Sequence, residues 1–248
     1  MKKVYVANWK MNKTISEAES FMKEFLPMVE DNENKIIICA NALCLPKMQE
    51  MVNDSNVQIA GQNIYPEDAG AFTGEISLPM LAELGISNIM LGHSERRIYF
   101  GETDEFINKK IKKALEAGFD IVFCIGEKEE ERNDKQTIGV LTRQLKIGLA
   151  DVTEEQMSHV YVAYEPIWSI STFSTGRIAT TEEIFEVHNQ IKDILKEMFP
   201  NVWENILVLY GGSVSPKNKN EIMALSNVDG ALIGGASLKP ESLAEVVK

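Results

Sequence analysis

The chain has 248 residues, a formal charge of −12 and a pI near 4.9, with 44% hydrophobic and 25% charged residues. That is the balance of a globular chain with enough apolar side chains for a core. It disfavours nucleic acid or an anionic membrane as a general partner. No apolar run reaches the length of a membrane span, and the N-terminal Met1-Lys2-Lys3-Val4-Tyr5 has no signal-type segment, so a cytoplasmic protein is expected. The cysteines, Cys39, Cys44 and Cys124, are odd in number and widely spaced, which argues against a disulfide framework. No metal-ligand spacing appears among Cys and His, so no metal is expected.

In chain order, eight continuous apolar runs stand out: Val4–Ala7, Ile36–Ala40, Val57–Ala60, Ile89–Leu91, Ile121–Ile125, Val160–Tyr164, Ile206–Tyr210 and Ala231–Ile233. Continuous rather than alternating runs mark strands buried on both faces. Helical stripes lie between them. Ser16 with Glu19 reads as a capping box for a helix carrying Ala18, Phe21, Met22, Phe25 and Leu26. Ile107, Ile111, Ala114 and Leu115 form a second stripe, stopped by Gly118. Thr180 with Glu183 opens a third, carrying Ile184, Val187, Ile191 and Ile194. Ser215-Pro216 and Lys239-Pro240 predict two more helix starts. Eightfold strand–helix alternation in this length predicts an α/β protein with a (β/α)₈ barrel. The rival, an open doubly wound sheet, usually has a glycine fingerprint after its first strand, whereas Asn8-Trp9-Lys10 stands there. No linker or composition shift divides residues 1–248, which read as a single domain.

In such a barrel the residues just past each strand face one mouth. That set includes Asn8 and Lys10, then His93, Ser94 and Glu95, then Glu165, then Gly211, Gly212 and Ser213, and last Gly234 and Gly235. Pro166 forces the sixth strand to stop at Glu165. The glycine pairs suit an anion held by backbone N–H groups after strands seven and eight. A carboxylate base beside an imidazole and an ammonium suits proton abstraction next to a carbonyl, with an enediolate stabilised by Lys10 and His93. Taken singly, each of these residues has a plainer reading: a structural histidine, a solvated carboxylate, a surface lysine, ordinary glycine turns. Glu129-Glu130-Glu131-Arg132 reads as a solvated helix face, and His159 and His188 as surface or helix residues with no catalytic part.

Six segments in order resemble the triosephosphate isomerase family: Asn8-Trp9-Lys10-Met11-Asn12, Ala71-Phe72-Thr73-Gly74-Glu75, Gly92-His93-Ser94-Glu95-Arg96-Arg97, Tyr164-Glu165-Pro166-Ile167-Trp168, Tyr210-Gly211-Gly212-Ser213 and Gly234-Gly235-Ala236-Ser237-Leu238. The resemblance implies interconversion of dihydroxyacetone phosphate and glyceraldehyde 3-phosphate without cofactor or metal. It implies Glu165 as the base, His93 as the electrophile relaying protons between oxygens, Lys10 as the cation, Asn8 as an orienting group and Glu95 as support from behind. Ser213, Gly234 and Gly235 would offer N–H groups to the phosphate. The loop 62–77, with Thr73 and Glu75, would dock into a second copy, implying a homodimer.

The chain departs from the family after Trp168. The family lid resembles Ala-Ile-Gly-Thr-Gly-Lys followed by Thr-Ala-Thr; residues 169–179 here are about three longer and lack the first glycine. Ser174 is the positional match for that glycine, and Ser171 the alternative. Serine keeps an N–H but resists positive φ, so weakened catalysis is expected. Two other readings compete: a barrel that binds a phosphorylated ligand but turns it over poorly, and a Schiff-base aldolase, which would want a lysine within a central strand.

Overall fold

In a computed structural model, which describes residues 2–53, 55–170 and 177–248, eight strands close into a parallel barrel in sequence order. They are β1 Val4–Asn8, β2 Lys35–Ala40, β3 Val57–Gly61, β4 Asn88–Leu91, β5 Asp120–Ile125, β6 Val160–Tyr164, β7 Val208–Tyr210 and β8 Gly230–Ile233. Closure is made by β1 pairing with β8, Val4 opposite Gly230 and Ala7 opposite Ile233. The helices are α1 Ile15–Met28, α2 Leu45–Val52, α3 Leu78–Glu83, α4 Ser94–Tyr99, α5 Asp104–Glu116, α6 Glu129–Asn133, α7 Thr137–Gly148, α8 Thr181–Met198, α9 Lys219–Met223 and α10 Pro240–Val247. Among the described residues none is long and apolar enough to cross a membrane.

Strand side chains alternate between two cores. Val4, Val6, Ile37, Cys39, Ala60, Met90, Val122, Cys124, Ala163, Leu209 and Leu232 fill the barrel. Tyr5, Ala7, Ile36 and Ile38 face outward against the apolar stripes of the helices, among them Phe21, Met22 and Phe25 of α1. Burial on both faces is why the strands read as unbroken apolar runs. The same parity carries Asn8 inward after Val6, and Glu165 inward after Ala163, at the C-terminal rim. All three cysteines are buried and free.

Two helix starts differ from expectation. Thr14, not Ser16, caps α1: its side chain accepts the Glu17 N–H, and Glu17 accepts the Thr14 N–H at 2.8 Å. Lys13, at φ 70°, turns the chain into the cap, which leaves Ser16 inside the first turn. Ser215-Pro216 opens a turn rather than a helix. Asn218 Oδ1 accepts the Ser215 N–H at 2.8 Å, and α9 begins only at Lys219. The α8 and α10 starts follow the sequence, with Thr180 and Glu183 forming the expected capping box.

Candidate active site

At the C-terminal rim, Asn8, Lys10, His93, Glu165, Ser213, Gly234 and Gly235 line one cavity of about 730 Å³, counting its open mouth. Ile170, Gly211 and Leu232 also line its wall. Residues from five strand ends thus meet in one place.

Glu165 is 2% exposed. Its Oε1 lies 2.9 Å from His93 Nε2, and its Oε2 accepts the Ser94 N–H at 3.0 Å. Ser94 opens α4, so the carboxylate meets the positive end of a helix. Burial pushes the Glu165 carboxyl up. The His93 ring, the Ser94 N–H and the Lys10 ammonium together outweigh it and hold the group below the usual carboxylate range.

His93 is the residue before α4, and its Nδ1 accepts the Glu95 N–H at 3.2 Å. An accepting Nδ1 places the ring proton on Nε2, aimed at Glu165. Lys10 Nζ lies 2.8 Å from Glu95 Oε1. Glu95 therefore holds the cation with its side chain and the imidazole with its backbone. Lys10 itself has φ 52°, a conformation that costs a non-glycine residue energy and is held only by its surroundings. Asn8 Oδ1 accepts the Lys10 N–H at 2.9 Å, and Gln62 Nε2 donates to the Lys10 carbonyl at 2.9 Å. Asn8 thus fixes the strained backbone of the lysine beside it.

The seat of Glu165 is cut by its neighbour strand. Its N–H donates to the Ile125 carbonyl at 2.7 Å, and a Cβ on Gly126 would stand 1.8 Å from the Glu165 carbonyl oxygen. Only glycine allows that approach. Gln144 braces Gly126 from both sides, accepting its N–H at 2.8 Å and donating to its carbonyl at 3.1 Å. Among the described residues other than its chain neighbours, a Cβ at Gly235 would meet no atom within 4 Å, and one at Gly234 would meet Lys10 Cε at 3.8 Å. Packing against the described residues does not demand glycine at either position.

A second carboxylate, Glu127, stands just past β5 and is not among the expected site residues. Glu127 is fully buried, and its Oε1 accepts from Trp168 Nε1 at 2.8 Å, Tyr164 OH at 3.0 Å and Arg132 at 3.2 Å. Burial raises its carboxyl, against the pull of these donors. Arg132 correspondingly is no solvated charge: it also reaches Glu183 at 2.9 Å. Gln62 and Glu127 stand just past β3 and β5, so the rule that found the other site residues applies to them too. Ser94 was in view in the sequence, but nothing there announced its grip on Glu165.

Ser174 and its alternative Ser171 lie outside the described residues. Thr73 and Glu75 are exposed and away from this cavity, Glu75 lining a separate hollow with Gln62, Asn63 and Arg96. Among the described residues no group of metal-binding side chains converges. His188 is a helix residue, as expected, and lies fully buried on α8.

A family model described as triosephosphate isomerase matches residues 3–248. A triosephosphate isomerase of Clostridium botulinum is 44% identical over 245 residues, covering 98% of both chains. One from Dictyoglomus thermophilum is 44% identical over 249 positions, covering 100% of this chain and 99% of its own. The crystal structure of triosephosphate isomerase from Bartonella henselae superposes with a TM-score of 0.89 at 34% identity, covering 99% of this chain and 98% of that one. With the barrel, the rim cavity and these relatives in agreement, the chain belongs to the triosephosphate isomerase family.

Proposed function

We propose that this chain interconverts dihydroxyacetone phosphate and D-glyceraldehyde 3-phosphate by proton transfer through an enediolate. The observation that carries the reading is the meeting of Glu165, His93 and Lys10 at one cavity whose far wall is Gly234-Gly235. Substrate phosphate lies on the N–H groups of Ser213, Gly234 and Gly235. The reacting end of the substrate, C1 and C2 with their oxygens, enters between Glu165 and His93, breaking their 2.9 Å contact. Glu165 leaves the Ser94 N–H and takes the C1 proton. The electron pair moves to the C2 oxygen, whose charge is met by His93 Nε2–H and Lys10 Nζ. His93 moves a proton between the two oxygens, and Glu165 returns its proton to C2. A neutral imidazole in this role is an established property of the family. No cofactor or metal is called for in this sequence of steps.

The lengthened lid, residues 169–179, is proposed to weaken this catalysis, because it lacks the glycine that presents an N–H in the family. Losing one preorganised donor costs roughly 10²–10³ in turnover. Replacing 169–179 by the shorter family segment should restore that factor.

We also propose a cytoplasmic homodimer joined through the 62–77 loop, with Thr73 beside the partner's site. Exposed apolar side chains support it: Met11 is 96% and Leu43 77% exposed. Sedimentation at rising concentration tests it, and a monomer at micromolar concentration would overturn it.

The activity is tested by a coupled assay with glyceraldehyde 3-phosphate. The expected outcome is isomerisation that falls roughly 10³-fold in Glu165→Gln. Absence of isomerisation with tight binding of a phosphorylated ligand would favour a binding barrel instead. Borohydride trapping of a substrate adduct would favour the aldolase.

A further inference from the structure

The two ends of the 169–179 segment are held to each other by groups outside the catalytic cavity. Arg132 and Arg177 both lie against the Trp168 ring, Cζ to centroid 4.4 and 4.3 Å. Both donate to the same atom, Glu183 Oε1, at 2.9 and 2.6 Å. Ser169 Oγ accepts the Ala179 N–H at 2.9 Å. Trp168 is thereby gripped by Glu127 at its ring nitrogen and by two guanidiniums on its π-system. Arginine suits such a place where lysine would not, because its planar fork stacks and donates at once.

We propose that Glu183 and Arg177 are positioning residues for the isomerase site, clamping Trp168 as a fixed base for the Ile170 side of the catalytic cavity. The path is short. Ile167 N–H donates to the Glu127 carbonyl at 3.1 Å, Trp168 follows it, and Ile170 lines the cavity with Glu165. Glu183 sits on α8, whose capping box it completes by accepting the Thr180 N–H at 3.0 Å through Oε2. One carboxylate thus fixes both the start of a long helix and the charged clamp. Loosening the clamp leaves the reacting groups intact but makes substrate order its own wall, a cost that falls on binding.

This inference rests on the isomerase reading, and its test separates the two. Glu183→Gln keeps the helix cap, since Gln serves a capping box as Glu does, and removes the charge shared by the guanidiniums. Arg177→Ala removes one guanidinium, and Arg177→Lys keeps charge without the stack. The protein is labelled with 5-fluorotryptophan, and the Trp168 signal is assigned with Trp168→Phe. Expected for Glu183→Gln and Arg177→Ala is a displaced or broadened Trp168 ¹⁹F line. KM should rise about three- to tenfold, with kcat within about twofold and an intermediate Arg177→Lys. Melting temperature should move by no more than about 2 °C. An unmoved Trp168 line overturns the clamp. A moved line with unchanged KM overturns its positioning role. If the parent protein shows no isomerisation, the activity reading fails, and the ¹⁹F line still decides whether the clamp exists.

Discussion

Lys10 Nζ stands 2.8 Å from Glu95 Oε1, so the cation at the mouth of the cavity is anchored by a carboxylate that does not line that cavity. Both side chains are about one-fifth exposed, 20% and 21%. A pair this accessible contributes roughly 1 kcal/mol at most to stability. Its value lies in direction: it sets where the ammonium points. Glu95→Gln keeps the backbone N–H on His93 Nδ1 and loses only the charge. The expected result is a fall in kcat/KM of about three- to tenfold, with melting temperature nearly unchanged. Steady-state kinetics at low and high salt would check it; an unaffected kcat/KM would mean that Lys10 needs no anchor.

Gly235 offers a cleaner probe of the proposed phosphate site. A Cβ there meets no atom within 4 Å among the described residues beyond its chain neighbours, so Gly235→Ala should fold normally. The added methyl would project toward the room proposed for the phosphate. KM for the triose phosphate should rise by about tenfold or more while thermal stability holds. Inorganic phosphate, tested as a competitive inhibitor, should weaken in parallel. Equal loss of stability and affinity would mean the glycine serves packing after all.

His188 predicts a specific acid sensitivity. It is wholly buried among Tyr164 and Tyr210, and its Nδ1 meets the Asn227 carbonyl at 3.2 Å. Burial lowers its pKa from 6.5 to about 4. The folded state therefore favours the neutral ring. Its contribution is complete above pH 6.5, drains away as pH falls from there to about 4, and amounts to on the order of 3 kcal/mol. His188→Gln can still donate to Asn227 without titrating. Denaturant unfolding at pH 7 and pH 4.5 should show a smaller acid loss in the variant than in the parent. Identical losses would refute the assignment.

Much of the fold could be read because parallel strands buried on both faces leave unbroken apolar runs, and Pro166 marked a strand end by chemistry rather than by pattern. Helix starts were less readable where two candidate caps lay close together. Thr14 prevailed over Ser16 because of the backbone turn at Lys13, a conformation that no side-chain pattern encodes. Ser215-Pro216 misled because Asn218 offers Ser215 a local side-chain partner, and a turn results. Site residues on strands one, four, six, seven and eight stood out by type. Glu127 and Arg132 did not, since a carboxylate beside a run of acidic residues looks solvated until Trp168 and Tyr164 are folded over it.

Gly126 gives the site a point of origin that no side chain supplies. Where the fifth and sixth strands end, main chain rests on main chain, and the Glu165 carboxylate inherits its coordinates from that contact. Drift in sequence can reshape the rim or the helices and leave that origin unmoved. A single methyl at 126 would dislodge it, so the tolerance of this barrel to change ends at the smallest alteration the genetic code can make there.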